Sequence, residues 1–130
     1  MVEIDSVYEL GSIDGPTDRY LTEAYKYWVK EGYTDSDKCK IFISENDGNK
    51  GWAFIRENEG NSCHLSRFTV EFKGDGLGTN IFNALKKKYN EVTLWSNPEA
   101  KGFYTRHGVK FSSLDNKVDG KTYTYGSYKN

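Results

Sequence analysis

The run Ser62-Cys63-His64-Leu65-Ser66-Arg67-Phe68-Thr69-Val70-Glu71-Phe72 leads through Lys73-Gly74-Asp75-Gly76-Leu77-Gly78-Thr79 into Asn80-Ile81-Phe82-Asn83-Ala84-Leu85. Its first part is rich in β-branched and aromatic residues, as a strand requires, whereas Leu77, Ile81, Phe82, Leu85 and Tyr89 recur on one helical stripe. A strand therefore feeds a helix through a glycine-rich loop. The first turn of a helix presents unpaired backbone N–H groups and about half a positive charge, and glycines let an anion reach the main chain without a Cβ in the way. Lys73 to Thr79 reads either as a pyrophosphate cradle or, on glycine spacing alone, as a tight strand-to-helix turn. It is not a P-loop, which needs a Gly-Lys-Ser/Thr ending, nor a Rossmann loop, because GxGxxG is absent.

Upstream, Lys38 to Glu45 and Gly51 to Glu57 are further strand-like runs, separated by Asn46-Asp47-Gly48-Asn49 and followed by Asn58-Glu59-Gly60-Asn61. Both tetrapeptides are hairpin-turn sequences, so the three runs should form an antiparallel meander. Val2 to Tyr8 is a weakly alternating first strand. Tyr20, Leu21, Ala24, Tyr25, Trp28 and Val29 mark a helix from Pro16 that Gly32 stops. Downstream, Val92 to Trp95 reads as a buried strand and Pro98 as the first turn of a short helix whose apolar face is Ala100, Phe103 and Tyr104. Gly108 ends that helix, and Lys110 to Ser113 and Lys121 to Tyr128, joined at Asp119-Gly120, close the sheet. The order β-α-β-β-β-α-β-α-β-β is an α+β layout with helices against a mixed sheet.

Composition narrows the function classes. The 130 residues are 36% hydrophobic and 28% charged, enough apolar side chain for one core and the size of a single domain, 1–130. The formal charge of -1 gives no general pull toward phosphate backbones, so nucleic acid is not an expected partner. No apolar run approaches the roughly 20 residues that span a bilayer, and Met1 to Ser12 lacks a signal-peptide core, so no membrane is expected and the compartment reads as cytoplasmic. Lysine outnumbers arginine fourteen to four, a bias that suits an AT-rich genome, including a viral one acting in a host cytoplasm. Cys39 and Cys63 have no zinc-ligand spacing and read as buried small hydrophobes, with no metal expected.

Lys73-x-x-Gly76-x-Gly78 resembles the Arg/Gln-x-x-Gly-x-Gly/Ala signature of the GCN5-related N-acetyltransferase (GNAT) family. Asn97-Pro98-Glu99-Ala100-Lys101-Gly102-Phe103-Tyr104-Thr105-Arg106-His107-Gly108 resembles the family's later Asn-x-x-Ala-x-x-x-Tyr-x-x-x-Gly segment. Both occur in the family's order and context. The resemblance implies a mostly antiparallel sheet whose central parallel strands, Ser62 to Phe72 and Val92 to Trp95, splay apart to hold the pantetheine arm of acetyl-coenzyme A. It implies that the main chain near Phe68 and Val70 binds that arm, that Lys73, Gly74, Asp75, Gly76, Leu77, Gly78 and Thr79 bind the diphosphate, and that Asn97 fixes the cofactor or the splayed strand. Lys73 departs from the usual Arg or Gln, Val109 stands where Phe is common, and only one N-terminal helix is evident where the family commonly has two.

The implied reaction moves an acetyl group from acetyl-coenzyme A to a primary amine, on a protein or peptide. The alternatives are a nucleobase-modifying or other acyl-CoA-dependent enzyme of the same fold, and a non-catalytic acyl-CoA-binding module. Acyl transfer needs a neutral amine and a proton for the departing thiolate. The resemblance gives the second role to Tyr104. For the base, His64 is either a residue titrating near neutral pH on the acceptor strand or a solvated histidine. Glu45, Glu57 and Glu71 are read as ordinary carboxylates, His107 as a partner of its own helix end, and Lys86-Lys87-Lys88 as a solvated helix end. Asp14, Asp18, Glu23, Asp35 and Asp37 would favour a cationic partner. The chain is expected to be a monomer or homodimer, with Lys121 to Tyr128 available as a pairing edge.

Overall fold

In the computed structural model, residues 2–4, 26–27, 29–32, 38–46, 49–70 and 76–130 are described. Their strands form one seven-stranded sheet: β1 (Val2–Ile4), β2 (Cys39–Asn46), β3 (Asn49–Asn58), β4 (Ser62–Val70), β5 (Glu91–Ser96), β6 (Lys110–Val118) and β7 (Lys121–Lys129), in the spatial order β1-β2-β3-β4-β5-β7-β6. Every pairing is antiparallel except β4 with β5. The meander β2-β3-β4 turns at Gly60 and Asn61, both with positive φ. Asp119 and Gly120 likewise have φ of +52° and +77°, the left-handed pair that a tight β6-β7 hairpin demands. The helix expected from Pro16 lies mostly outside the described residues; within them, 26–27 and 29–30 are helical.

Between β4 and β5 runs α1 (Leu77–Lys88), which buries Leu77, Ile81, Phe82 and Leu85, the stripe expected of it. Of these, Ile81, Phe82 and Leu85 share one core cluster with Phe42, Ala53, Ile55, Cys63, Leu65, Val92 and Leu94 from one face of the sheet. Burying each such aliphatic or aromatic side chain contributes about 1.5–3 kcal/mol, so this layer fixes α1 against the sheet. Tyr89, at the end of α1, is buried as well, and its hydroxyl donates to Glu57 Oε2 at 2.7 Å. Both cysteines are buried and unpaired with each other.

After β5 come a short 3₁₀ turn (Pro98–Ala100) and α2 (Lys101–Arg106), ended by Gly108 at φ +89°. Two expectations need correction. Lys121 to Tyr128 is not an edge: β7 lies between β5 and β6, so its backbone is paired on both sides and the edge at this end is β6. β6 also runs to Val118 rather than stopping at Ser113, because its residues from Ser112 on are exposed and carry no apolar alternation to announce a strand.

Candidate functional site

The parallel pairing of β4 and β5 ends early. Ser62 to Leu65 lie opposite Glu91 to Leu94, and beyond that the strands part, although β4 continues to Val70 and β5 to Ser96. The cause lies on the other side of β4. There Leu65 faces Ile55 and Arg67 faces Phe54, so Ser66 is an extra residue in the ladder with β3. A bulge of this kind bends its strand and sharpens the twist, which turns β4 away from β5. The Tyr27 hydroxyl donates to the Ser66 carbonyl at 3.3 Å, bracing the bulge.

A cleft of about 640 Å³ opens at this parting. Phe68 and Val70 line it from β4, two residues apart on one face, beside the stretch of strand edge that β5 no longer pairs. Gly76, Leu77, Gly78 and Thr79 line it from the head of α1. Gly76 is the N-cap with φ +73°, a conformation that favours glycine, and a Cβ there would meet nothing within 4 Å. Among the described residues no side chain caps α1, and no acidic residue stands in its first turn, so within that set its leading amides have no side-chain acceptor. This is what a diphosphate needs. At Gly78 a Cβ would make ordinary contacts with Phe103 at 3.4 Å and Phe68 at 3.6 Å, so the position accepts alanine as readily as glycine. Lys73, Gly74 and Asp75 lie outside the described residues.

The opposite wall comes from the segment after β5. Asn97 Oδ1 accepts the Ala100 N–H at 2.9 Å, capping the 3₁₀ turn where β5 ends, and the buried Ser96 hydroxyl donates to the Asn97 carbonyl at 2.8 Å. Asn97 therefore holds the end of the parted strand and also lines the cleft. Tyr104 lines it too, only 8% exposed, and its ring packs against Phe68, Phe82 and Phe103. Burial pushes its phenol up to about 12, so it stays protonated throughout the physiological range. Among the described residues no group hydrogen-bonds its hydroxyl. Sequence reasoning missed Glu99, Gly102 and Arg106 as lining residues. Their signal was available: with Phe103 they fall at i, i+3, i+4 and i+7, one face of a helical turn.

His64 is not in the cleft. Its neighbours Cys63 and Leu65 point into the α1 core, so alternation sends His64 to the other face, where its Nδ1 lies 2.8 Å from Thr93 Oγ1. Burial and then the Arg56 charge lower its pKa, which keeps the imidazole neutral near pH 7. His107 departs from expectation. The Lys86 ammonium can only donate, so at 3.5 Å it makes His107 Nδ1 an acceptor and leaves Nε2–H for Thr79 Oγ1 at 3.3 Å. Burial, Lys86 and Arg106 all lower the His107 pKa, and it is Lys86 that donates to the carbonyl at the helix end, at 3.3 Å. Lys86 is thus a tie between α1 and α2 rather than part of a solvated end. Glu57 is held by Tyr89 and by Lys40 at 3.5 Å and does not line the cleft, and Glu71 lies outside the described residues.

Parted parallel strands, a helix head and a buried phenol thus surround one cleft, and the comparisons with known proteins give the family that carries it. The sequence matches the acetyltransferase (GNAT) domain over residues 18–125, and the chain belongs to that family of acyltransferases, whose acyl donor is acetyl-coenzyme A. No curated protein matches the sequence. Among solved structures, Escherichia coli ElaA is 15% identical with a TM-score of 0.63, covering 98% of this chain and 99% of that one. The ribosomal-protein-alanine N-acetyltransferase of Brucella melitensis is 14% identical, TM-score 0.60, with 100% of each chain covered. A Bacillus anthracis protein described as a streptothricin acetyltransferase, solved with acetyl-coenzyme A, is 17% identical, TM-score 0.59, covering 71% of this chain and 62% of that one. Among the described residues no helix is long and apolar enough to cross a membrane.

Proposed function

We propose that the 130 residues act as one N-acetyltransferase domain that moves the acetyl group of acetyl-coenzyme A to a primary amine on a protein or peptide, in the cytoplasm. The observation that carries this reading is the parting of β4 from β5 at Ser66, with Tyr104 on one side of the cleft and the free head of α1 on the other. The Brucella protein, whose acceptor is a protein alanine, shares the fold over its whole length and supports a peptide acceptor.

In this reading the edge of β4 at Phe68 and Val70 aligns the pantetheine arm, and the amides of Gly76 to Thr79, with Lys73 to Asp75 before them, hold the diphosphate. Asn97 keeps the end of β5 in place. Acetyl-coenzyme A supplies the activated thioester. His64, on the acceptor face, takes the proton from the incoming ammonium, for which it must itself be neutral. Tyr104 gives its phenolic proton to the sulfur as the C–S bond breaks, and burial keeps that proton in place until then. Calorimetry with acetyl-coenzyme A, combined with thiol release in the presence of peptide amines, tests the assignment. Tyr104→Phe should leave the coenzyme Kd unchanged and lower kcat by roughly 10²- to 10⁴-fold, the usual worth of general acid catalysis. A kcat within a factor of two of the wild type would make Tyr104 a packing member of its aromatic cluster.

A further inference from the structure

On the sheet face turned away from α1, hydrogen-bond donors lack acceptors among the described residues. Arg67 is exposed, next in the chain to the cleft-lining Phe68 and pointing to the opposite side, where its guanidinium lies 5.4 Å from the centre of the Tyr27 ring and 6.0 Å from that of Trp52. Two aromatic rings hold this cation, yet among the described residues no carboxylate pairs with it. The Trp52 ring that it lies over is only 1% exposed, and Trp52 Nε1–H is the buried side-chain polar atom left without a partner among the described residues. Buried N–H groups are rarely left unsatisfied, and such exceptions call for a ligand or a water. Arg56, on the same face opposite His64, also has no carboxylate partner among the described residues. Glu91, the described carboxylate nearest along β5, is taken by Lys129 at 3.6 Å.

The location matters as much as the charge. Consecutive Cα atoms are about 3.8 Å apart, so Arg67 stands at the rim of the gap between β4 and β5, on the same sheet face as His64, where the reading above places the acceptor. A positioned guanidinium presents a planar fork of donors, and its complement is a carboxylate, bound through two parallel hydrogen bonds. The geometry points to an acceptor that carries, beside its amine, a carboxylate received by Arg67. This deepens the acyltransferase reading above and rests on it. The cationic partner expected from Asp14, Asp18, Glu23, Asp35 and Asp37 is a separate expectation, since those residues lie outside the described residues. The carboxylate has two sources: the α-carboxylate of a free amino acid, or an acidic side chain next to the amine of a peptide.

Matched twins separate these. Thiol release is measured with alanine against alaninamide, phenylalanine against phenylalaninamide, and amidated peptides beginning Ala-Glu or Ala-Asp against Ala-Gln or Ala-Asn. The acid member of at least one pair should show a kcat/KM about tenfold or more above its neutral twin, as a charged hydrogen bond is lost in the other. Arg67→Gln should bring that ratio to within twofold with acetyl-coenzyme A affinity intact by calorimetry, and Arg67→Lys should retain part of it. Preference confined to the amino acids or to the peptides supports the inference and names the source. Equal rates on all twins, a preference untouched by Arg67→Gln, or coenzyme binding with no acid-bearing amine acetylated would overturn it. Failure of the wild type to bind acetyl-coenzyme A would instead overturn the acyltransferase reading beneath it.

Discussion

The two halves of β4 differ in what surrounds them rather than in what they are made of. Ser62 to Leu65 is paired with β3 on one side and β5 on the other, and Cys63 and Leu65 are fixed in the α1 core. Phe68 to Val70 keeps β3 but has lost β5, and its apolar side chains line a cleft. One inserted residue separates the two environments. The first half contributes stability through ladders and burial; the second leaves backbone groups unpaired, which is tolerable only beside water or a ligand that bonds to them. The difference between a structural strand and a binding strand is thus a matter of register, and it can be tested as such.

The largest effect is expected where the cleft meets charge. Gly76→Glu places a carboxylate at the uncapped head of α1, where an anion should sit, and acetyl-coenzyme A binding should fall below detection in calorimetry while the circular dichroism spectrum stays native. An added Cβ meets no protein atom there, so the cost inside the protein is confined to the left-handed φ. Gly76→Asn is the control, because asparagine tolerates that conformation without adding charge, and it should bind the coenzyme. Equal affinity of the glutamate variant and the wild type would remove the diphosphate from the head of α1.

Deleting Ser66 acts on the comparison directly. Ile55 already faces Leu65 and Phe54 faces Arg67, so removal of the intervening residue leaves the alternation of faces in phase and lets β4 run straight. The expected product folds, pairs further with β5, and loses coenzyme affinity by roughly tenfold or more, equivalent to about 1.4 kcal/mol. Retention of full affinity would show that the parting does not depend on the bulge.

This register slip explains much of what was legible in the sequence and what was not. The helical stripe of α1 and the turns at Asn58 to Asn61 and Asp119-Gly120 are local features, and local patterns predicted them. The slip itself is written in the residues: Cys63 and Leu65 share a phase that Phe68 and Val70 leave by one position, with Ser66 and Arg67 between. Nothing in composition marks it unless the phase is followed through both halves. The place of β7 inside the sheet was not legible, because the β6-β7 hairpin can dock against β5 by either strand and only packing decides which. Nor was Arg67 legible as a site residue, since its aromatic supports, Tyr27 and Trp52, come from distant parts of the chain.

A smaller effect concerns the paired half. If His64 is the base, kcat/KM should rise with pH through a midpoint below 6.5, because protonated imidazole cannot accept the amine's proton and both burial and Arg56 disfavour the protonated form. Arg56→Gln removes the charge and should move the midpoint up toward the ordinary histidine value of about 6.5, and His64→Ala should abolish the limb. A limb that survives His64→Ala would return the residue to a purely structural role with Thr93.

The smallest effect should come from Lys86, which ties α1 to the end of α2. Its ammonium donates to the His107 carbonyl at 3.3 Å and lies 5.4 Å from the centre of the Tyr128 ring and 5.9 Å from that of Phe82. Lys86→Met keeps most of the stem and its apolar contacts but deletes the charge and the hydrogen bond. A hydrogen bond of this kind contributes about 1 kcal/mol, so Tm should fall by roughly 3–7 °C for a chain of this size. Coenzyme affinity should be nearly unchanged, since the residue does not line the cleft and the parting of the strands is set by Ser66. If affinity dropped in step with stability, the open half of β4 would depend on the α1-α2 tie as well as on its own register.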